Sequence, residues 1–189
     1  MRAAVLAALL LAACSDAGQA DAAASAAGQI GDQPSGPVAD AADIIPPADE
    51  ASIDRDLRAY VARTGTAIIV ASVDTLGGQT VEQVAFDTYN NWGIGDPETN
   101  WPETNRGVLI LVAPNERRVR IEVGCGLESV ITNAAAKHVI EQDMIPLFRS
   151  GDYAAGVNAG VGGLKARLAN SQGALPVSRD CLATMQGAA

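Results

Sequence analysis

The sequence predicts a small three-layer α/β/α sandwich on a short mixed β-sheet, with elements in the order α-β-α-β-β-α-α. Three stretches carry that reading. Residues 66–73 are β-branched or apolar almost throughout, as an inner strand is. Residues 108–112 form an unbroken apolar run, which suits a strand buried on both faces. Residues 118–123 alternate strictly, with Val119, Ile121 and Val123 on one face and Arg118, Arg120 and Glu122 on the other. Turn chemistry at Pro114, Asn115 and Glu116 joins the last two strands into a hairpin. That hairpin ends in Gly124-Cys125-Gly126, followed closely by Glu128.

The domain opens with an extended approach, residues 38–45, before Pro46-Pro47. Ile53, Leu57, Tyr60 and Val61 recur at helical spacing up to Gly65, so a first helix spans residues 48–64. After the strand at 66–73 comes a loop with Gly77-Gly78, and Thr80 with Gln83 forms a capping box. Val81, Val84, Ala85, Thr88, Tyr89 and Trp92 mark one face of the helix that follows. A long polar connection, residues 93–105, leads to the hairpin, and loops of that length commonly carry function. Beyond the hairpin, Asn133 caps a helix that ends near Pro146, and Gly151-Asp152 starts another with Val157, Val161, Leu164 and Leu168 inward. Glycines 156, 160 and 163 share a face of that last helix, as close helix packing requires. A strand-helix-strand unit gives a parallel pair with a right-handed crossover, and the hairpin adds an antiparallel strand.

The termini read differently from this core. Met1-Arg2, an apolar run and Leu11-Ala12-Ala13-Cys14 compose a secretory signal over residues 1–13. Its ending resembles that of bacterial lipoproteins, in which Cys14 is acylated, though an ordinary signal peptide is the alternative. The run is far shorter than the ~20 residues that span a bilayer, whereas two or more acyl chains anchor stably. Ser15 after the cysteine favours the outer membrane, with the chain facing the periplasm. Residues 14–37 hold almost no large apolar side chain and read as a tether reaching about 25 Å. Residues 38–169 are the right size for one core, and 170–189 form a C-terminal tail.

The formal charge is −9, and loss of Arg2 with the leader makes the mature chain one unit more acidic. No Lys/Arg cluster exists in the sequence beyond Arg117-Arg118, which argues against nucleic acid as a partner. With Cys14 lipidated, Cys125 and Cys181 remain, either paired in an oxidising periplasm or as free thiols. Pairing would restrict the unfolded chain by about 4 kcal/mol on the entropy model.

The element order brings residues 92–106 and 124–133 to one end of the sheet. The extended approach would carry Asp40 there too. Asp40, Asp96, Asn105, Glu128 and Asn133 are then candidates for an oxygen-lined pocket that suits a hard cation such as Ca2+. The plainer alternative is loop polars and caps. His138 has no Ser or Cys signature beside it, and no phosphate loop, zinc spacing or nucleophile elbow is present.

Several segments together resemble the TPM domain. They are Val38-Ala39-Asp40, Trp92-Gly93-Ile94-Gly95, residues 107–113, residues 119–128 and Gly151-Asp152-Tyr153. The resemblance implies an α/β sandwich facing a non-cytoplasmic compartment, with acid phosphatase activity, calcium binding, or upkeep of membrane complexes. Four positions depart from the family pattern. Asn105-Arg106 stands where an acid and Asn are usual, Asn133 where an acid is common, and Cys125 where an aromatic is. Amides in place of carboxylates remove charge on which calcium affinity depends, and a guanidinium at Arg106 repels a cation or binds an anion. Two functions follow. One is a hydrolase in which a cation or Arg106 neutralises phosphate while Asp40 or Glu128 handles protons. The other is a module, lipid-anchored through Cys14, that holds a protein partner at the envelope. The missing nucleophile and the thinned acidic cluster favour the second.

Overall fold

The computed structural model describes residues 31, 34–95 and 105–169. In chain order they form β1 (Val38–Asp40), α1 (Pro47–Thr64), β2 (Ala67–Ser72), α2 (Val81–Asn91), β3 (Gly107–Ala113) and β4 (Arg118–Val123). A 3-10 turn at Cys125–Leu127 follows, then α3 (Asn133–His138), a π-helical segment (Val139–Met144), α4 (Ile145–Arg149) and α5 (Tyr153–Leu168). The sheet order is β1-β2-β3-β4, parallel across the first three strands and antiparallel at the hairpin. The three-layer sandwich is therefore as the sequence predicts, with one addition. The extended approach before the double proline pairs with β2 as a short edge strand, Val38 opposite Val70 and Asp40 opposite Ser72.

β3 sits at the centre because its apolar run serves both faces. Val108, Ile110 and Val112 join a core with α1, the α3-to-α4 segment and α5. Leu109, Leu111 and Ala113 face the other way, into a smaller core with Val81, Val84, Ala85, Tyr89 and Trp92 of the α2 layer. Burial of β3 is complete, with no residue above 1% exposed from Val108 to Ala113. Because the strand order runs in one direction while α1 and α2 lie on opposite faces, the β1-α1-β2 and β2-α2-β3 crossovers have opposite hands. One of them departs from the right-handed rule.

Local chemistry accounts for the helix boundaries. Gly65 closes α1 in the left-handed conformation, φ 67°, and its N–H donates to the Val61 carbonyl. Thr80 caps α2 by accepting from the Gln83 N–H, but the Gln83 side chain donates to Asp87, so only half of the expected capping box forms. Thr132, not Asn133, caps α3: its hydroxyl accepts from the Ala135 N–H and Asn133 is the first helical residue. Nor does the chain leave helix at Pro146. The preceding turns widen into the π-helical segment, where the Ile145 N–H reaches the Ile140 carbonyl. Pro146 then falls in the first turn of α4, where a missing N–H costs nothing.

The glycine face of α5 does what its spacing suggests. A Cβ on Gly160 would lie 2.7 Å from the Met144 sulfur, and one on Gly163 2.6 Å from Asp143 Oδ2. Those glycines let α5 approach the π-helical segment. Lys165 of α5 also reaches Asp56 of α1 at 2.5 Å and lies over the Tyr60 ring. Among the described residues no helix is long and apolar enough to cross a membrane.

Candidate functional site

The loops on either side of the hairpin meet at one end of the sheet, as the strand order requires. Gly126 N–H donates to the Asn105 carbonyl, and Gly124 N–H to that of Gly107. At their centre is a polar knot. The Tyr89 hydroxyl donates to Asn105 Oδ1 at 2.5 Å. Gly95, Gly107 and Gly124 surround these two groups so closely that a Cβ on any of them would collide with the Asn105 side chain or the Tyr89 hydroxyl. Glycine is required here for close approach. Burial, and secondarily the Glu122 carboxylate, pushes the Tyr89 phenol well above its ordinary range. The ring thus stays neutral and serves as a donor. Glu122 is itself paired with Arg120 at 2.9 Å.

The remaining candidate residues do not all gather around this knot. Asn105 and Arg106 are adjacent on an extended chain, so their side chains leave on opposite faces. Asn105 turns to Tyr89 on the α2 side, whereas Arg106 donates to the Thr66 hydroxyl at 3.3 Å and lies near Tyr60 on the α1 side. Glu128, half-buried, follows the 3-10 turn at the knot's end of the sheet. Asn133 is exposed at the start of α3. Asp96 lies outside the described residues.

Asp40 is the clear correction. It pairs with Ser72, which in turn pairs with Val112, so it sits at the C-terminal end of the parallel strands. The first residue of β3, Gly107, is five residues of strand from that end, about 17 Å, and Asn105 lies two residues before it. The expectation fails because β1 runs parallel to β2 and β3, so its last residue lies at the end opposite the loop that enters β3. Asp40 has structural work at its own end. Ser72 Oγ donates to Asp40 Oδ1, the Ile45 N–H donates to Oδ2 at 2.7 Å, and Ser72 Oγ accepts from the Ala42 N–H at 2.9 Å. Together these bonds fold the β1–α1 loop onto β2.

The described members of the expected calcium donor set do not gather in one place. Asp40 is at the opposite end, and Asn105 Oδ1 already accepts from the Tyr89 hydroxyl. Among the described residues no three His, Cys, Asp or Glu side chains gather as they would to hold a metal ion. Cys125 is disulfide-bonded. Its expected partner, Cys181, lies outside the described residues, as does Cys14.

The family model described as the TPM domain matches residues 38–167, more than half of the chain. The chain belongs to the TPM domain family. This TPM domain is similar to the N-terminal domain of a protein from P. gingivalis, at 29% identity and TM-score 0.64, covering 75% of this chain and 87% of that one. It also shares its fold with an N-terminal domain from Corynebacterium glutamicum, at 17% identity and TM-score 0.56, covering 77% and 88%. A protein from the psychrophilic bacterium Bizionia argentinensis matches at 20% identity and TM-score 0.56, covering 72% and 87%. No curated protein matches the chain.

At the other end of the sheet, the TPM domain has a second feature. A cleft of about 570 Å3 lies between the hairpin turn and α4. Arg117 and Arg118 line it from the turn and Arg149 from the end of α4, with the half-buried rings of Phe148 and Tyr153 5.1 Å apart between them. Sequence reasoning marked the Arg117-Arg118 pair but not Arg149, which only the α3-to-α4 segment brings to it. A helix continuing through Pro146 was the missing signal, since a stop there leaves Arg149 in a loop with no defined direction.

Proposed function

We propose that this protein is a lipid-tethered TPM-domain module of the bacterial envelope that binds a protein partner and does not turn over a substrate. One observation carries the reading: of the two carboxylates offered as proton handlers, Asp40 lies at the end of the sheet opposite Asn105 and Arg106 and is engaged there by Ser72 and the Ile45 N–H, while Glu128 stands at their end. A general acid or base must lie within hydrogen-bond reach of its reacting group, about 3 Å, so Asp40 cannot serve a phosphate held at Arg106, about 17 Å or more away at the other strand end. Asn105 is likewise committed to the fold by the Tyr89 hydroxyl and its three glycines. The anchor in this proposal is the acylated Cys14, with residues 14–37 as the tether and the outer membrane as its location. This part rests on the leader sequence alone.

The expected result is that purified mature protein releases little phosphate from an aromatic phosphomonoester across acid to neutral pH. Robust turnover that disappears in both Asp40→Ala and Glu128→Ala, with folding intact by circular dichroism, would reverse the assignment. Titration calorimetry with calcium is expected to show no binding in the micromolar range. A micromolar signal abolished by Glu128→Ala would restore a metal site at the knot's end. The association of TPM domains with acid phosphatase activity favours hydrolysis as the second reading.

A further inference from the structure

We infer that the cleft between the hairpin turn and α4 is a docking groove for an acidic segment of a partner protein, one that alternates carboxylates with apolar side chains. The inference rests on the binding-module reading and supplies the chemistry of the partner. Three arginines converge there although the chain as a whole carries a charge of −9. Among the described residues no acidic side chain lines the cleft. Among the described residues no carboxylate pairs with Arg117, Arg118 or Arg149. The acids nearest to them in sequence are engaged elsewhere: Glu116 accepts from the Leu76 N–H at 2.8 Å, and Asp152 from the Ala155 N–H at 2.9 Å. Guanidinium groups with no internal partner are available to carboxylates, which they can hold bidentately.

The floor decides what else the ligand carries. Between the arginines it is apolar, with Val119, Phe148 and Tyr153 exposed in part. Arginine beside aromatic residues is the composition of interface hot spots. All three arginines are exposed at the rim and not sunk in the cleft. Small-ligand sites bury most of their ligand, whereas exposed rim charges steer and orient a macromolecular partner. The net negative charge of the chain would repel the same acidic segment elsewhere and so favours the arginine cleft. That contrast favours a peptide over a free small anion.

The backbone of Arg117 is an independent sign. It has φ 55° in the hairpin turn, in the left-handed region where glycine or asparagine is the unstrained choice, and its N–H donates to the Pro114 carbonyl. A strained position occupied by arginine is an outlier that calls for a functional reason.

The test is fluorescence anisotropy with full-length protein in detergent micelles, using a labelled peptide of alternating glutamate and leucine and a lysine-leucine counterpart. The acidic peptide is expected to bind saturably with a micromolar Kd, and to weaken about tenfold or more in Arg118→Glu, in Arg149→Glu and at high salt. Arg55→Glu, on α1 away from the cleft, should bind as the parent does. Arg117→Gly should weaken binding while its melting temperature is unchanged or raised, which separates lost docking from lost folding. No binding up to about 1 mM, equal retention of the basic peptide, or no effect of Arg149→Glu overturns the inference. So does phenyl phosphate bound in an Arg149-dependent manner with the peptide excluded, which makes the cleft a small-anion site. Failure of the peptide without phosphomonoester turnover removes the groove and leaves the binding module standing. Turnover dependent on Asp40 and Glu128 removes the module itself.

Discussion

Gly107→Ala is expected to cost about 3–5 kcal/mol of folding stability, lowering the melting temperature by roughly 15 °C for a domain of this size. The added Cβ would lie 2.6 Å from the Tyr89 hydroxyl, 2.7 Å from the Gly95 backbone nitrogen and 2.8 Å from the Ile94 carbonyl carbon. Two of those three neighbours are backbone, so no side-chain rotation relieves them. Relief requires the loop after α2 to move away from β3, which breaks the Tyr89–Asn105 hydrogen bond within a buried environment. Overpacking costs about 1–3 kcal/mol and an orphaned buried polar group about as much again. Gly162→Ala provides the contrast. That glycine is helical, exposed and has nothing within 4 Å of its would-be Cβ, so alanine there should stabilise by about 0.5–1 kcal/mol. Chemical denaturation of both variants reads the difference directly. Adding Tyr89→Phe to Gly107→Ala should recover less than about 1 kcal/mol, because the backbone collisions remain. Full recovery would mean that the hydroxyl alone, and not the approach of two main chains, makes this glycine necessary.

The knot also shows where sequence reasoning reaches and where it stops. The apolar run of β3, the alternation of β4 and the face of α2 are local patterns, and each specifies its element without help from distant residues. Placement of Asn105 beside Gly124 follows from strand order alone. Tyr89 was visible only as one more apolar position on the α2 face, because nothing local to it announces a partner sixteen residues away. The pairing of β1 was equally hidden. Three residues carry too little pattern to distinguish an edge strand from an extended linker, and only the parallel register with β2 reveals it. That one unrecognised pairing moved Asp40 from the expected site to the opposite end of the sheet. Pro146 misled for a physical reason of its own. Proline ends an α-helix, but a π-helical turn before it shifts the hydrogen bonds so that its missing donor is not needed. Arg149, and with it the cleft, went unseen for that reason.

Asp40→Ala is expected to destabilise the domain by about 2–4 kcal/mol, and the size of that loss bears on how any activity data are read. The carboxylate is the acceptor for both Ser72 Oγ and the Ile45 N–H. Ser72 is 3% exposed and Ile45 is 2%, so water cannot easily replace what the carboxylate supplies. Hydrogen bonds to a charged group are worth about 1.5–3 kcal/mol, and leaving a buried donor unsatisfied costs about 1–3 kcal/mol. Ile45 anchors the loop that enters α1 and packs in the larger core, so loosening its backbone should also loosen the start of that helix. Hydrogen exchange at the Ile45 and Ala42 amides should therefore accelerate more than exchange in β3. Asp40→Asn should lose about half as much, because an amide oxygen still accepts one of the two bonds while its NH2 opposes the other donor. A catalytic carboxylate would behave differently: both substitutions would abolish turnover, and neither would move the denaturation midpoint by this amount. Graded loss of stability, Ala more than Asn, with matching acceleration at Ile45, identifies Asp40 as the staple between β1 and the start of α1. Unchanged stability in Asp40→Ala would return it to the list of groups free to do chemistry.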